Sequence, residues 1–174
     1  AQTHMVFAAP TVPHSHEDRF PLLLLSQALG GGMSSRLFHR VREELGLAYG
    51  IYSFHSFYRD AGVFGVYVGT RAATAELARD TVIEELARVA AEGLDPLEFT
   101  QVREQVQGQL VLTLESTGAK LYRLAGYALR DEAIRPMDAI LADVAAVTPE
   151  RVAEVASRYV GPDRHYLLSL GPSS

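Results

Sequence analysis

Two side chains set seven residues apart, Arg42 and Tyr49, offer the most usable chemistry in this 174-residue chain. The spacing places Arg42 in the last turn of a predicted helix. Gly46 ends that helix, and Tyr49 opens the next strand. A helix-to-strand corner can turn both side chains toward one point. A guanidinium and a phenol are good donors to carbonyl oxygens and to a developing oxyanion. The same two residues have an ordinary structural reading. An arginine near a helix C-terminus complements the dipole, and a tyrosine at a strand start is a common core residue. Spacing alone leaves both readings open.

Other chemistries find less support. The six histidines are His4, His14, His16, His39, His55 and His165. His14 and His16 stand two apart in a Pro/Ser-rich loop, which is poor spacing for a helical metal site. His39 and Glu43 can share a helix face, but one such pair reads as a surface ion pair. Neither H-E-x-x-H nor H-x-x-E-H occurs, so no metal is expected on this chain. Gly32-Met33-Ser34-Ser35-Arg36 departs from the nucleophile elbow G-x-S-x-G at its last position. The chain has no cysteine, which excludes disulfides, thiolate–metal sites and thiol catalysis.

The run Gly30-Gly31-Gly32 resembles a phosphate cradle at first sight. A phosphate loop follows a strand and carries a lysine or G-x-G-x-x-G spacing. Here the glycines follow a predicted helix, and the only lysine is Lys120. The run reads instead as a helix–helix joint that needs positive φ and close backbone approach.

The elements that must position these residues can be read from pattern. Residues 4–9 read as a strand, bounded by Pro10 and Pro13. Residues 17–29 step apolar positions by three and four and read as a helix. Ser34 or Ser35 is placed to cap the next helix, which runs through Glu44. Residues 48–58 and 63–70 are rich in aromatic and β-branched residues and flank Arg59–Gly62, as an antiparallel pair does. Four helices are predicted next. Residues 73–92 turn Ala78, Val82, Leu86 and Val89 to one face. Asp95 caps a second helix, with Pro96 at its first position, Glu98 completing a capping box and Leu94 stapling to Phe99. A third covers residues 119–130. A fourth starts at Thr148 and stops at Gly161-Pro162. "HYLLSL" closes the chain as a last strand.

This order implies an α+β fold: a largely antiparallel sheet with helices packed on one face, over residues 1–174 as a single domain. Hydrophobic residues make up 48% and charged residues 21% of the chain, as in a soluble globular protein. The net charge of -5 argues against nucleic acid and anionic membrane as main partners. No apolar run spans a bilayer, and the composition fits cytoplasm and periplasm equally. The chain opens without methionine near a strand, so it is expected to be a piece of a longer polypeptide.

The stretch "LGGGMSSRLFHRVREELGLAYGIYSF" resembles the second-domain signature of the pitrilysin/insulinase/mitochondrial processing peptidase zinc metallopeptidases. The resemblance is close over residues 29–54. It extends to the opening "THMVFAAP", the late "VTPERVAEVASRYV" and the closing strand. It implies a processing-peptidase-like metallohydrolase domain that faces a homologous N-terminal zinc-bearing domain, in the same or a separate chain, as a dimer or pseudo-dimer. The zinc of the complete enzyme would be held by that partner, with none in this chain, which alone would be inactive. The family's active-site Arg and Tyr match Arg42 and Tyr49. Tyr49 would hydrogen-bond the oxyanion and Arg42 would hold a carbonyl of a peptide substrate. Gly30, Gly31 and Gly32 would form a loop at the substrate chamber. The resemblance thus implies the substrate-binding, active-site-completing domain of a zinc-dependent metalloendopeptidase. Two rivals stand beside it: a non-catalytic scaffold or partner subunit, and a peptide-binding module using a sheet edge.

Overall fold

The computed structural model describes residues 2–172. Its first strand, β1 (Gln2–Thr11), alternates buried Thr3, Met5, Phe7 and Ala9 with more exposed neighbours. That period of two is what a strand with one covered face requires. β2 (Ala48–Phe57) and β3 (Gly62–Arg71) form a hairpin, and β4 (Tyr166–Leu170) closes the chain. The sheet is antiparallel throughout, in the order β2-β3-β1-β4. Pro10 lacks an N–H to donate, and it is tolerated because β4 pairs with β1 only along His4–Ala8.

Helix α1 (Arg19–Gly30) is buried almost all round, with Leu22, Leu24, Leu25 and Leu29 fully enclosed. It lies on the inner face of the sheet and packs against β2, α3 (Pro96–Thr113) and α6 (Pro149–Tyr159). Helix α2 (Ala75–Glu92) packs on α6 and β3 and turns Ala78, Val82, Leu86 and Val89 inward, as its periodicity predicts. The outer face carries no helix among the described residues. It is tiled by aromatic rings: Tyr52 stacks on Tyr67 at 4.9 Å, and His4 Nδ1 lies 2.8 Å from the Tyr67 hydroxyl. The α+β expectation therefore holds, with helices on one face.

Local details correct several expectations. Asp95 caps α3, accepting from the Leu97 and Glu98 amides at 3.0 Å each. Glu98 does not complete the capping box. Its carboxylate is taken by Arg36, in a two-point pair at 2.7 and 2.5 Å that ties the loop after α1 to α3. Thr148 caps α6 as expected. Helix α4 (Thr117–Arg130) starts earlier than predicted, with Ser116 as its cap. Helix α5 (Met137–Ala146) went unpredicted, because it starts after Pro136 with no side-chain cap.

Candidate functional site: the corner between the glycine run and β2

Helix α1 ends on Gly30, which is buried against β2. A Cβ there would stand 2.2 Å from the Ser53 backbone nitrogen. The neighbouring Ser53 hydroxyl donates to the Ser26 carbonyl at 2.5 Å and completes the seam. Close approach thus explains Gly30, as expected. Positive φ does not: the described glycines in that region are Gly46 and Gly93, and Gly31 sits at φ −80°. The chain turns after α1 through ordinary right-handed backbone, so the joint needs no left-handed residue. Gly31 is exposed, and a Cβ on Gly32 would meet open space.

Neither Ser34 nor Ser35 caps the next helix. The Ser35 hydroxyl instead donates to the Gly32 carbonyl at 2.5 Å, closing a turn. The next element is a π-helix, Phe38–Glu44, a rare form found often at functional sites. Its wider turn permits an i+5 pair beside an ordinary i+4 one. His39 meets Glu44 at 3.1 Å rather than Glu43, and Arg40 also reaches Glu44, at 2.8 Å. These groups are exposed and form a surface ion pair set, in keeping with the bland reading of His39.

Arg42 lies in the last turn of this π-helix, with its guanidinium 4.9 Å from the centre of the Phe38 ring. It is exposed, and among the described residues it has no carboxylate partner. Gly46 reverses the chain at φ +60°, and the Leu47 amide closes back on the Val41 carbonyl at 2.9 Å. Leu47 and Ala48 then enter the core. Pairing of β2 with β3 skips from Ala48↔Thr70 to Gly50↔Gly69, so Tyr49 is the extra residue of a β-bulge. Bulges re-aim side chains, and Tyr49 is 55% exposed while its neighbour Ala48 is buried. The structure thus sets Arg42 and Tyr49 on consecutive elements, joined by a short fixed turn, both open to solvent.

A cavity of about 740 Å³ lies elsewhere, between the π-helix, α2 and the start of α3. Its lining charges are largely satisfied among themselves, as in Arg36–Glu98, Arg40–Glu44 and Arg88–Glu85, so it reads as a solvated ionic cleft. Three histidines are held neutral toward lower pH, chiefly by burial: His14, His55 and His165. Among the described residues no three His, Cys, Asp or Glu side chains come together as metal ligands do. The donors needed for zinc are absent from the corner, so no step through a metal is assigned to these residues. No described helix is long and apolar enough to cross a membrane.

An antiparallel sheet with helices on one face, carrying Arg42 and Tyr49 on either side of the turn into β2, defines an α+β domain with no metal-ligand cluster among its described residues. The comparisons give the family. The model described as peptidase M16 inactive domain matches residues 1–106, and the chain belongs to that family. It is 40% identical over 171 residues to an uncharacterised zinc protease of Streptomyces coelicolor, covering 98% of this chain and 37% of that one. It is 37% identical over 169 residues to the uncharacterised zinc protease YmxG of Bacillus subtilis, covering 97% and 41%. The chain therefore spans about two fifths of the length of these relatives. Among solved structures, the peptidase M16 inactive domain from Pseudomonas fluorescens superposes with a TM-score of 0.87 at 23% identity, over 99% of this chain and 42% of that one. The inactive peptidase domain of a putative zinc protease from Bordetella parapertussis gives 0.86 at 15% identity, over 99% and 94%. At these identities the superpositions speak for the fold.

Proposed function

We propose that this chain is the substrate-binding, active-site-completing domain of a zinc-dependent metalloendopeptidase. The observation that carries the reading is the corner itself: an unpaired guanidinium at the end of the π-helix, and a phenol pushed out by a bulge seven residues later. Both are exposed, and among the described residues neither has a hydrogen-bond or carboxylate partner, Arg42 resting only on the Phe38 ring. A homologous N-terminal domain holds the zinc that activates water. Tyr49 donates its O–H to the oxyanion that forms as a peptide carbonyl is attacked, and Arg42 donates to a neighbouring substrate carbonyl. Gly31 and Gly32 belong to the exposed loop at the chamber wall, while Gly30 seats α1 beneath it. The names of the curated relatives support zinc in the whole enzyme.

The rival reading is a non-catalytic scaffold subunit with the same fold. Peptide hydrolysis by the complete assembly separates the two. If this chain completes the site, substitutions at Arg42 and Tyr49 lower turnover while assembly persists. A scaffold loses activity only when assembly is lost.

A further inference from the structure

A second cavity, of about 360 Å³, opens between α4 and the α1/β2 layer. Its floor is apolar, formed by Phe20, Leu23, Phe57, Leu110 and Ile140. Arg19 lines it, yet that residue is only 8% exposed. An arginine so enclosed is ordinarily paired with a carboxylate. Arg19 is not, among the described residues. Its Nη1 donates to the His14 carbonyl and lies over the His14 ring, and its guanidinium stands 4.5 Å from the centre of the Phe20 ring. Nε and Nη2 make no hydrogen bond there.

The surrounding charges do not supply the missing anion. Arg123 and Arg130 flank the buried Tyr127 ring at 5.8 and 5.5 Å, on the same cavity. The Glu132 carboxylate is held by His14 at 2.6 Å and by Arg130 at 3.4 Å. Asp143 is committed to Arg135 at 2.5 Å. Three guanidiniums thus line an apolar pocket whose lining includes no carboxylate, and of these Arg123 donates through Nη1 to the Arg135 carbonyl at 2.8 Å. His14 adds no acidic group, and His55, which also lines the pocket, carries a buried Nδ1 without a partner.

We infer that this cavity binds a small apolar carboxylate, with its carboxylate on Arg19 and its body on the apolar floor. Charge complementarity selects the head, because a bidentate carboxylate satisfies the free edge of a guanidinium. The volume selects the size. At about 30 Å³ per water-sized group it admits on the order of a dozen non-hydrogen atoms. A medium-chain fatty acid and the free C-terminus of a peptide ending in an apolar residue share this chemistry. The site uses other residues than Arg42 and Tyr49, so its fate is independent of theirs.

Calorimetric titration of the chain tests it, with octanoate, 1-octanol and a leucine-ending tripeptide as probes. Saturable binding of octanoate or the tripeptide, one per chain, is expected, with octanol at least tenfold weaker. The tighter of the two carboxylates names the source. Arg19→Gln should weaken the carboxylate at least tenfold. Ala119→Phe, which leaves Arg19 in place and fills the cavity from α4, should do the same. Octanol binding as tightly as octanoate overturns the inference, as do unchanged affinity in a folded variant or no saturable binding of either carboxylate.

Discussion

Gly30 and Ser53 touch backbone to backbone, at the point where α1 ends and β2 passes beneath it. A methyl group at Gly30 would lie 2.2 Å from the Ser53 nitrogen and 2.8 Å from the Tyr52 carbonyl carbon. Neither is a flexible side chain that can move aside. Gly30→Ala should therefore destabilise the chain by about 1–3 kcal/mol in chemical denaturation, as overpacking does. Gly32→Ala should be neutral or mildly stabilising, because its Cβ meets nothing within 4 Å. Equal effects at both positions would refute this division of labour within the glycine run.

Gly46 should respond for a different reason. Its Cβ would also meet open space, but its φ is +60°. Gly46→Ala should cost about 1 kcal/mol through backbone strain, and Gly46→Asn less, since asparagine tolerates the left-handed region. The same denaturation series reads both. A loss that is no smaller for asparagine would argue against strain at this turn.

Asp18 is fully buried at the start of α1 and binds α6 from there. Arg151 holds its Oδ1, and Oδ2 accepts from Arg158 Nη1 and the Tyr159 hydroxyl at 3.4 Å each. Asp18→Ala should lower stability by about 2–3 kcal/mol, because it removes charge-assisted bonds from a dry site. Arg158→Ala should cost far less, since Arg158 is half-exposed and its bond to Asp18 is longer. Comparable losses in the two variants would show that the buried acid is not the anchor.

Acid should weaken the fold through the enclosed histidines. Burial lowers the His55 pKa below its ordinary value of 6.5. Between the folded and unfolded pKa values the unfolded chain binds more protons, so stability rises with pH across that window. The contribution of His55 is fully present above about pH 6.5 and is lost as pH falls toward its folded pKa. Replacing His55 by leucine should flatten the stability profile below pH 6.5. His14 and His165 shift the same way, so the slope should shrink rather than vanish. A profile unchanged by the substitution would contradict a buried neutral His55.

Much of this fold is legible in the sequence because local signals agree with tertiary need. Asp95-Pro96 and Thr148-Pro149 start α3 and α6 where capping chemistry says they should. The inward stripe of α2 follows its period, and the aromatic run around residue 60 becomes the β2–β3 hairpin. The misreadings come from places where a distant partner decides. Glu98 has the sequence of a capping-box residue, but Arg36, far away in the chain, outcompetes the backbone amide for its carboxylate. Helix α5 lacks a capping side chain and rests on packing of Met137 and Val144. The i+5 pairing of His39 with Glu44 comes from a π-helix, and no 3.6-residue pattern announces one. At the candidate site, the positions of Arg42 and Tyr49 on a helix end and a strand start are legible. The bulge that frees Tyr49 is not, since it arises from register against β3.

Arg42 and Tyr49 should fail in different ways within the assembled enzyme. In the proposed function Arg42 holds a substrate carbonyl present before and during reaction, so Arg42→Gln should chiefly raise KM. A change confined to kcat would remove that role.

The most direct measurement is turnover of a peptide by the complete zinc-loaded assembly carrying Tyr49→Phe. The substitution removes one hydroxyl from an exposed ring and should leave folding and assembly intact. Loss of one oxyanion donor predicts a fall in kcat of about 10²-fold or more, with assembly and zinc content unchanged. Turnover equal to that of the unsubstituted enzyme would contradict the account and leave the scaffold reading in its place.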